Sequence, residues 1–80
     1  MTIAKAVAKR IDDYLCEREI TLYRLAKDAE LPVATLQNLY RGNMKSPTLS
    51  LIYKICAGLN VTIEEFLNSD YFSPNIIELD

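Results

Sequence analysis

Between residues 22 and 41 apolar side chains recur at helical spacing, break once, and resume. They are Leu22, Leu25, Ala26 and Ala29, then Leu31, then Leu36 and Leu39. Intervals of three and four residues bring side chains to one face of an α-helix, so the stretch predicts two short helices. The break at Glu30, Leu31 and Pro32 marks a tight turn between them. Ala26 is small where the two helices would cross, which lets their backbones approach closely.

The flanking sequence extends the same pattern. A first helix over about residues 3–18 presents Ile3, Val7, Ile11, Tyr14 and Leu15 on one face. Thr21 suits the N-cap of the second helix, because its hydroxyl can accept from amides of the first turn. Glu30 stands where a left-handed residue is expected, at a cost of about 1 kcal/mol for a non-glycine. Pro32 fits the first turn of the third helix, where a missing N–H removes no bond. Gly42 can end that helix, near Tyr40 or Arg41, in the left-handed conformation. A fourth helix over about 49–58 follows, with Thr48 as its cap and Leu49, Ile52, Ile55, Cys56 and Leu59 as the inward stripe. Asn60 stops it. Thr62-Ile63-Glu64-Glu65 is a capping box that opens a fifth helix, to which Phe66 and Leu67 bring core side chains. No strand pattern competes before residue 70. The fold class is therefore all-α, a compact five-helix domain over residues 1–70. Residues 22–41 have the layout of a helix-turn-helix unit, whose second helix enters the DNA major groove.

Composition agrees with one globular domain: half of the 80 residues are hydrophobic and a quarter charged, which excludes a disordered tail. The opening MTIAKAVAKRIDDY carries charges every few residues and reads as neither a signal peptide nor a membrane span, so a cytoplasmic location is expected. Cys16 and Cys56 stand alone, each beside apolar residues. With no CxxC pair and no histidine, no metal site and no cofactor is expected. The thiols read as free, buried or half-buried groups rather than a disulfide.

The net charge of −2 argues at first against a polyanionic partner, but its distribution is uneven. Residues 21–54 hold Arg24, Lys27, Arg41, Lys45 and Lys54 against only Asp28 and Glu30. Residues 55–80 hold Glu64, Glu65, Asp70, Glu78 and Asp80 with no base. The basic excess falls on the helix-turn-helix segment.

Over roughly residues 6–68 the chain resembles the lambda-repressor-like, Cro/Xre group of helix-turn-helix regulators. The resemblance rests on an ordered set: LA at 25–26, L-x-x-L at 36–39, RG at 41–42, P-T-L at 47–49 and ICAGLNVTIEEFL at 55–67. It implies a lambda-repressor-like fold and a sequence-specific DNA-binding transcriptional regulator. Repression is expected over activation, since the sequence offers no effector or polymerase-binding module. Carried across by position, it places Val33, Ala34, Gln37 and Asn38 at base edges. Gln37 and Asn38 are the better readers, because a carboxamide can bond bidentately to adenine. Phosphate contacts are implied for Arg41, Asn43, Lys45, Ser46 and Thr48 in the loop after the third helix. Tyr23 and Arg24 lie on the other side of the groove. Thr35 either touches phosphate or caps its helix.

The sequence departs from the family pattern at Pro32, Val33 and Ala34, where polar readers often sit, and at Leu22, where many relatives carry a phosphate-binding glutamine. Tyr40 replaces an acidic residue that often precedes the RG pair. These apolar substitutions and the acidic total support an alternative: a protein-interaction module, adaptor or antitoxin-like, that keeps the fold without specific DNA binding. An enzyme is not expected, because histidine, a glycine-rich phosphate loop and a paired-carboxylate pocket are all missing. The tail, residues 71–80, has a turn at Ser73-Pro74-Asn75 and an apolar run at Ile76, Ile77 and Leu79. It either packs back onto the first and fifth helices or pairs with a second chain. The second is favoured, because helix-turn-helix dimers read two half-sites about one DNA turn apart. The expected partners are thus double-stranded DNA and a second copy of the chain.

Overall fold

A computed structural model describes residues 1–78; Leu79, the end of the apolar run in the tail, and Asp80 lie outside the described residues. Five helices follow one another: α1 (Ile3–Arg18), α2 (Leu22–Asp28), α3 (Val33–Tyr40), α4 (Leu49–Leu59) and α5 (Ile63–Leu67). A single 3-10 turn at Asp70–Phe72 comes after them. The only β-type pairing among the described residues is an isolated parallel bridge between Thr2 and Glu78. The fold is all-α, as the periodicity predicts.

Threonines start four of the helices. The hydroxyls of Thr2, Thr21, Thr48 and Thr62 accept from the amides of Lys5, Arg24, Leu51 and Glu65, each cap contributing about 1 kcal/mol. The Glu65 carboxylate in turn accepts from the Thr62 amide, closing the capping box. The exception is α3. Pro32 is its N-cap, one residue earlier than the spacing suggests, and no side chain caps that helix. Thr35 does not serve as a cap.

The C-terminal ends of α1 to α4 share one device. Ile20, Leu31, Asn43 and Val61 donate to the carbonyls of Leu15, Ala26, Asn38 and Cys56, five residues back. The residue before each donor is left-handed: Glu19, Glu30, Gly42 and Asn60, with φ of 53°, 56°, 77° and 58°. This is the Schellman pattern, in which an apolar residue after the left-handed one commonly returns to the core. Ile20, Leu31 and Val61 do so, which offsets the strain at Glu19 and Glu30.

The core gathers one face of every helix. Val7, Ile11, Leu25, Leu36, Leu39, Ile55, Leu59 and Phe66 are fully buried. α1 packs against α3, and α2 against α4. Ala26 is fully buried, as its size suggests. Another close approach is between Ala29 at the end of α2 and Gly58 in α4. A Cβ at Gly58 would lie 2.8 Å from the Ala29 Cβ and 2.9 Å from its Cα and N.

Three expected placements are corrected. Leu49 is 67% exposed; it opens α4 one turn outside the core that Ile52 reaches. Leu67 is also exposed, because the single buried face of the short α5 is taken by Phe66. Cys16 faces solvent rather than the interior, while Cys56 is buried; both are free thiols. Burial pushes the Cys56 thiol pKa up, keeping it protonated.

Two arginines of α1 hold the ends of other helices. Arg10 donates from Nε to the Phe66 carbonyl at 2.7 Å and from Nη2 to the Glu65 carbonyl at 2.8 Å. Arg18 donates from Nη1 to the Leu59 carbonyl. Cations there also suit the negative C-terminal ends of α5 and α4. Both guanidinium groups lie over the Tyr14 ring, at 4.8 Å and 5.2 Å from its centroid. Tyr14 in turn stacks on Phe66, with ring centroids 6.0 Å apart.

The described part of the tail folds back onto α1. Phe72 packs against the core beside Phe66, and the Tyr71 hydroxyl donates to Asp13. The Met1 ammonium donates to the Ile76 carbonyl at 2.8 Å and pairs with Glu78 at 3.2 Å. Ile76 stays partly exposed.

Replacing Gly58 by Ala should destabilise the fold by about 1–3 kcal/mol, because the added carbon meets Ala29 backbone that cannot yield. That loss should exceed the roughly 1 kcal/mol gained from helix propensity, and a higher urea midpoint than wild type would refute the close approach. Glu30→Gly should act the other way. It relieves about 1 kcal/mol of left-handed strain, and thermal unfolding should show a net gain of up to about 0.5 kcal/mol after the added unfolded-state entropy is subtracted.

Candidate nucleic-acid interface

The surface of α3 follows from which of its residues the core takes. Leu36 and Leu39 are buried, which turns Ala34, Gln37, Asn38 and Arg41 outward as one stripe at helical spacing. Ala34, Asn38 and Arg41 are exposed and Gln37 is half-buried. Val33 lies at the edge of that stripe and packs partly against the core, so it offers little more than a methyl edge. Thr35 is half-buried on the opposite flank.

The loop after α3 is pinned at alternate points. Gly42 makes the left-handed turn, Met44 packs partly against the core, and Pro47 is buried. Asn43, Lys45, Ser46 and Thr48 are left exposed between and beyond these anchors. The Thr48 hydroxyl already accepts from the Leu51 amide, but its proton remains available to donate. The structure therefore brings Ala34, Gln37, Asn38, Arg41, Asn43, Lys45, Ser46 and Thr48 onto α3 and its following loop.

Tyr23 and Arg24 occupy the first turn of α2. Tyr23 is 69% exposed. Arg24 is engaged: its Nε donates to Asp28 at 3.0 Å, four residues along the same helix. Such an exposed pair is worth a fraction of a kcal/mol, so a phosphate could take its place at little cost.

Tyr40 ends α3 and ties it to α1. Its hydroxyl donates to the Asp12 carboxylate at 2.6 Å, and that bond raises the phenol pKa, with burial and the Asp12 charge acting the same way. The acidic partner is thus on α1 rather than in the α3 sequence. Sequence reasoning did not find this tie, because residues 12 and 40 are joined only by tertiary contact. Nor did it assign a role to Arg10 and Arg18, although their i−4 and i+4 spacing about Tyr14 is visible in the chain.

Among the described residues no group of His, Cys, Asp and Glu could hold a metal ion. No described helix is long and apolar enough to cross a membrane.

A family model for the Cro/C1-type HTH DNA-binding domain matches residues 10–70. No curated protein and no solved structure matches the chain. The matched span runs from the middle of α1 to the start of the 3-10 turn and contains the whole helix-turn-helix unit. With an outward polar stripe on the second helix of that unit and a five-helix core behind it, the chain belongs to the Cro/C1-type helix-turn-helix DNA-binding family, a family of DNA-binding regulators.

Proposed function

We propose that this protein is a sequence-specific transcriptional repressor that inserts α3 into the major groove of an operator as a homodimer. The observation that carries the reading is the outward stripe of Ala34, Gln37, Asn38 and Arg41, continued by the exposed polar loop to Thr48. Gln37 and Asn38 supply the carboxamides that read adenine. Ala34 and the exposed edge of Val33 meet apolar groups such as a thymine methyl. Arg41, Asn43, Lys45, Ser46 and Thr48 grip phosphates on one side of the groove, with Tyr23, Arg24 and Thr35 as flanking contacts. Phosphate contacts of this kind set register without reading sequence. Occupying a promoter is enough to block it, so repression asks for no residue outside this surface.

A second copy would extend the reading to two half-sites. An apolar groove of about 400 Å³, lined by Ile3, Ile52, Leu67, Phe72, Pro74 and Ile77, lies where the tail meets the helices. With Ile76 partly exposed nearby in the chain, it supplies a surface for that pairing. A protein-interaction role is favoured by one other feature: Leu49 and Tyr53, four residues apart on α4, are both largely exposed.

Selection from a random-sequence duplex library separates these readings. Enrichment of a palindrome with half-site centres about 10 base pairs apart is expected. An absence of binding even at low salt would transfer the weight to the protein-interaction module. Asn38→Ala should weaken binding to the selected site by about 1–3 kcal/mol and relax the preference at one base pair. Lys45→Ala should weaken all duplexes alike and lower the slope of log affinity against log salt by about one. If Asn38→Ala leaves both affinity and preference intact, α3 does not read the groove as assigned.

A further inference from the structure

α1 carries two cations beside this surface that the helix-turn-helix unit does not include. Lys5 and Lys9 are one helical turn apart, and both are exposed. Neither forms an ion pair among the described residues. Like charges four residues apart on a helix repel; Asp12 and Asp13, one turn beyond Lys9, offset that repulsion only on its C-terminal side.

Their place in the fold is specific. A Cβ at Gly42 would meet the Lys5 Cγ at 3.8 Å, so the Lys5 stem runs along the turn between Arg41 and Asn43. Lys9 lines a shallow depression with Ala8, Asp12 and Tyr40, and Tyr40 is the last residue of α3. The two lysines therefore flank the C-terminal end of α3, next to Arg41. The other cations of α1 are occupied, Arg10 on the carbonyls of α5 and Arg18 on that of Leu59. Asp12, held by the Tyr40 hydroxyl, ends the positive strip after one turn.

We propose that Lys5 and Lys9 form a second phosphate-gripping row, on α1, that continues the DNA backbone track beyond the Arg41–Lys45 loop. The inference rests on the DNA-binding reading above and adds α1 to its footprint. An unpaired lysine that neutralises a phosphate releases a condensed counterion, so each adds to the salt dependence of binding without adding base preference.

The test is a salt titration on two unrelated duplexes of equal length, comparing wild type with Lys5→Ala, Lys9→Ala, the double variant and Lys45→Ala. Each single α1 substitution should lower the log–log salt slope by about one, and the double by about two. A fourfold rise in salt would then cost each single variant about three- to fourfold less affinity than it costs wild type. The losses should be equal on both duplexes, and Lys5→Arg and Lys9→Arg should restore them. Both side chains are exposed, so folding should be unchanged by circular dichroism. If Lys45→Ala lowers the slope while both α1 variants keep it, the α1 row is wrong and the loop assignment stands. If none of the variants changes the slope, the DNA-binding reading falls, and the α1 row with it.

Discussion

Four of the five helices are too short to persist alone, and burial of one face of each in a shared core is the constraint on which the structure depends. Isolated helices below about 12–15 residues are marginal in water, and α2, α3, α4 and α5 have 7, 8, 11 and 5 residues. α3 in particular lacks a side-chain cap, so its helicity rests on Leu36 and Leu39 entering the core. The same two residues decide which face of α3 looks outward. Stability and the binding surface are thus one packing solution: whatever unseats Leu36 or Leu39 also rotates Gln37 and Asn38.

α1 is the scaffold for that solution. It packs against α3, and its arginines grip the carbonyl ends of α4 and α5 while stacking over Tyr14. A guanidinium suits this work, because its fork of donors can satisfy two carbonyls while its plane lies on an aromatic ring. The chain's net negative charge therefore misleads about its surface in two ways. Arg10 and Arg18 are engaged by carbonyls within the chain, and residues 55–80 carry five carboxylates and no base. Lys5, Lys9, Arg41 and Lys45 gather around the end of α3 instead.

The apolar opening of α3 also has a consequence for recognition. Pro32 has no donor, and Val33 gives part of its surface to the core. On the proposed reading, base contacts from α3 fall to Gln37 and Asn38, two carboxamides, with Ala34 beside them. A site read by so few side chains draws more of its affinity from phosphate contacts and from a second half-site.

Much of this was legible in the residues themselves. Helical periodicity, the threonine caps at Thr21 and Thr48, the Thr62–Glu65 box and the stops at Glu30, Gly42 and Asn60 are local physics, each written within a few residues. They determined five helices, their order and the outward stripe on α3. What only the tertiary structure decided involves residues far apart in the chain. Gly58 is required because Ala29 arrives against it, Tyr40 finds its carboxylate at Asp12, and Arg10 and Arg18 reach helix ends about forty to fifty-six residues away. Leu49 and Leu67 belong to the right helical faces yet remain outside, because the core ends before it reaches them. Periodicity tells which side of a helix is apolar. Only the packing of the other helices decides how far along that side the protein is dry, and which charges it leaves facing water.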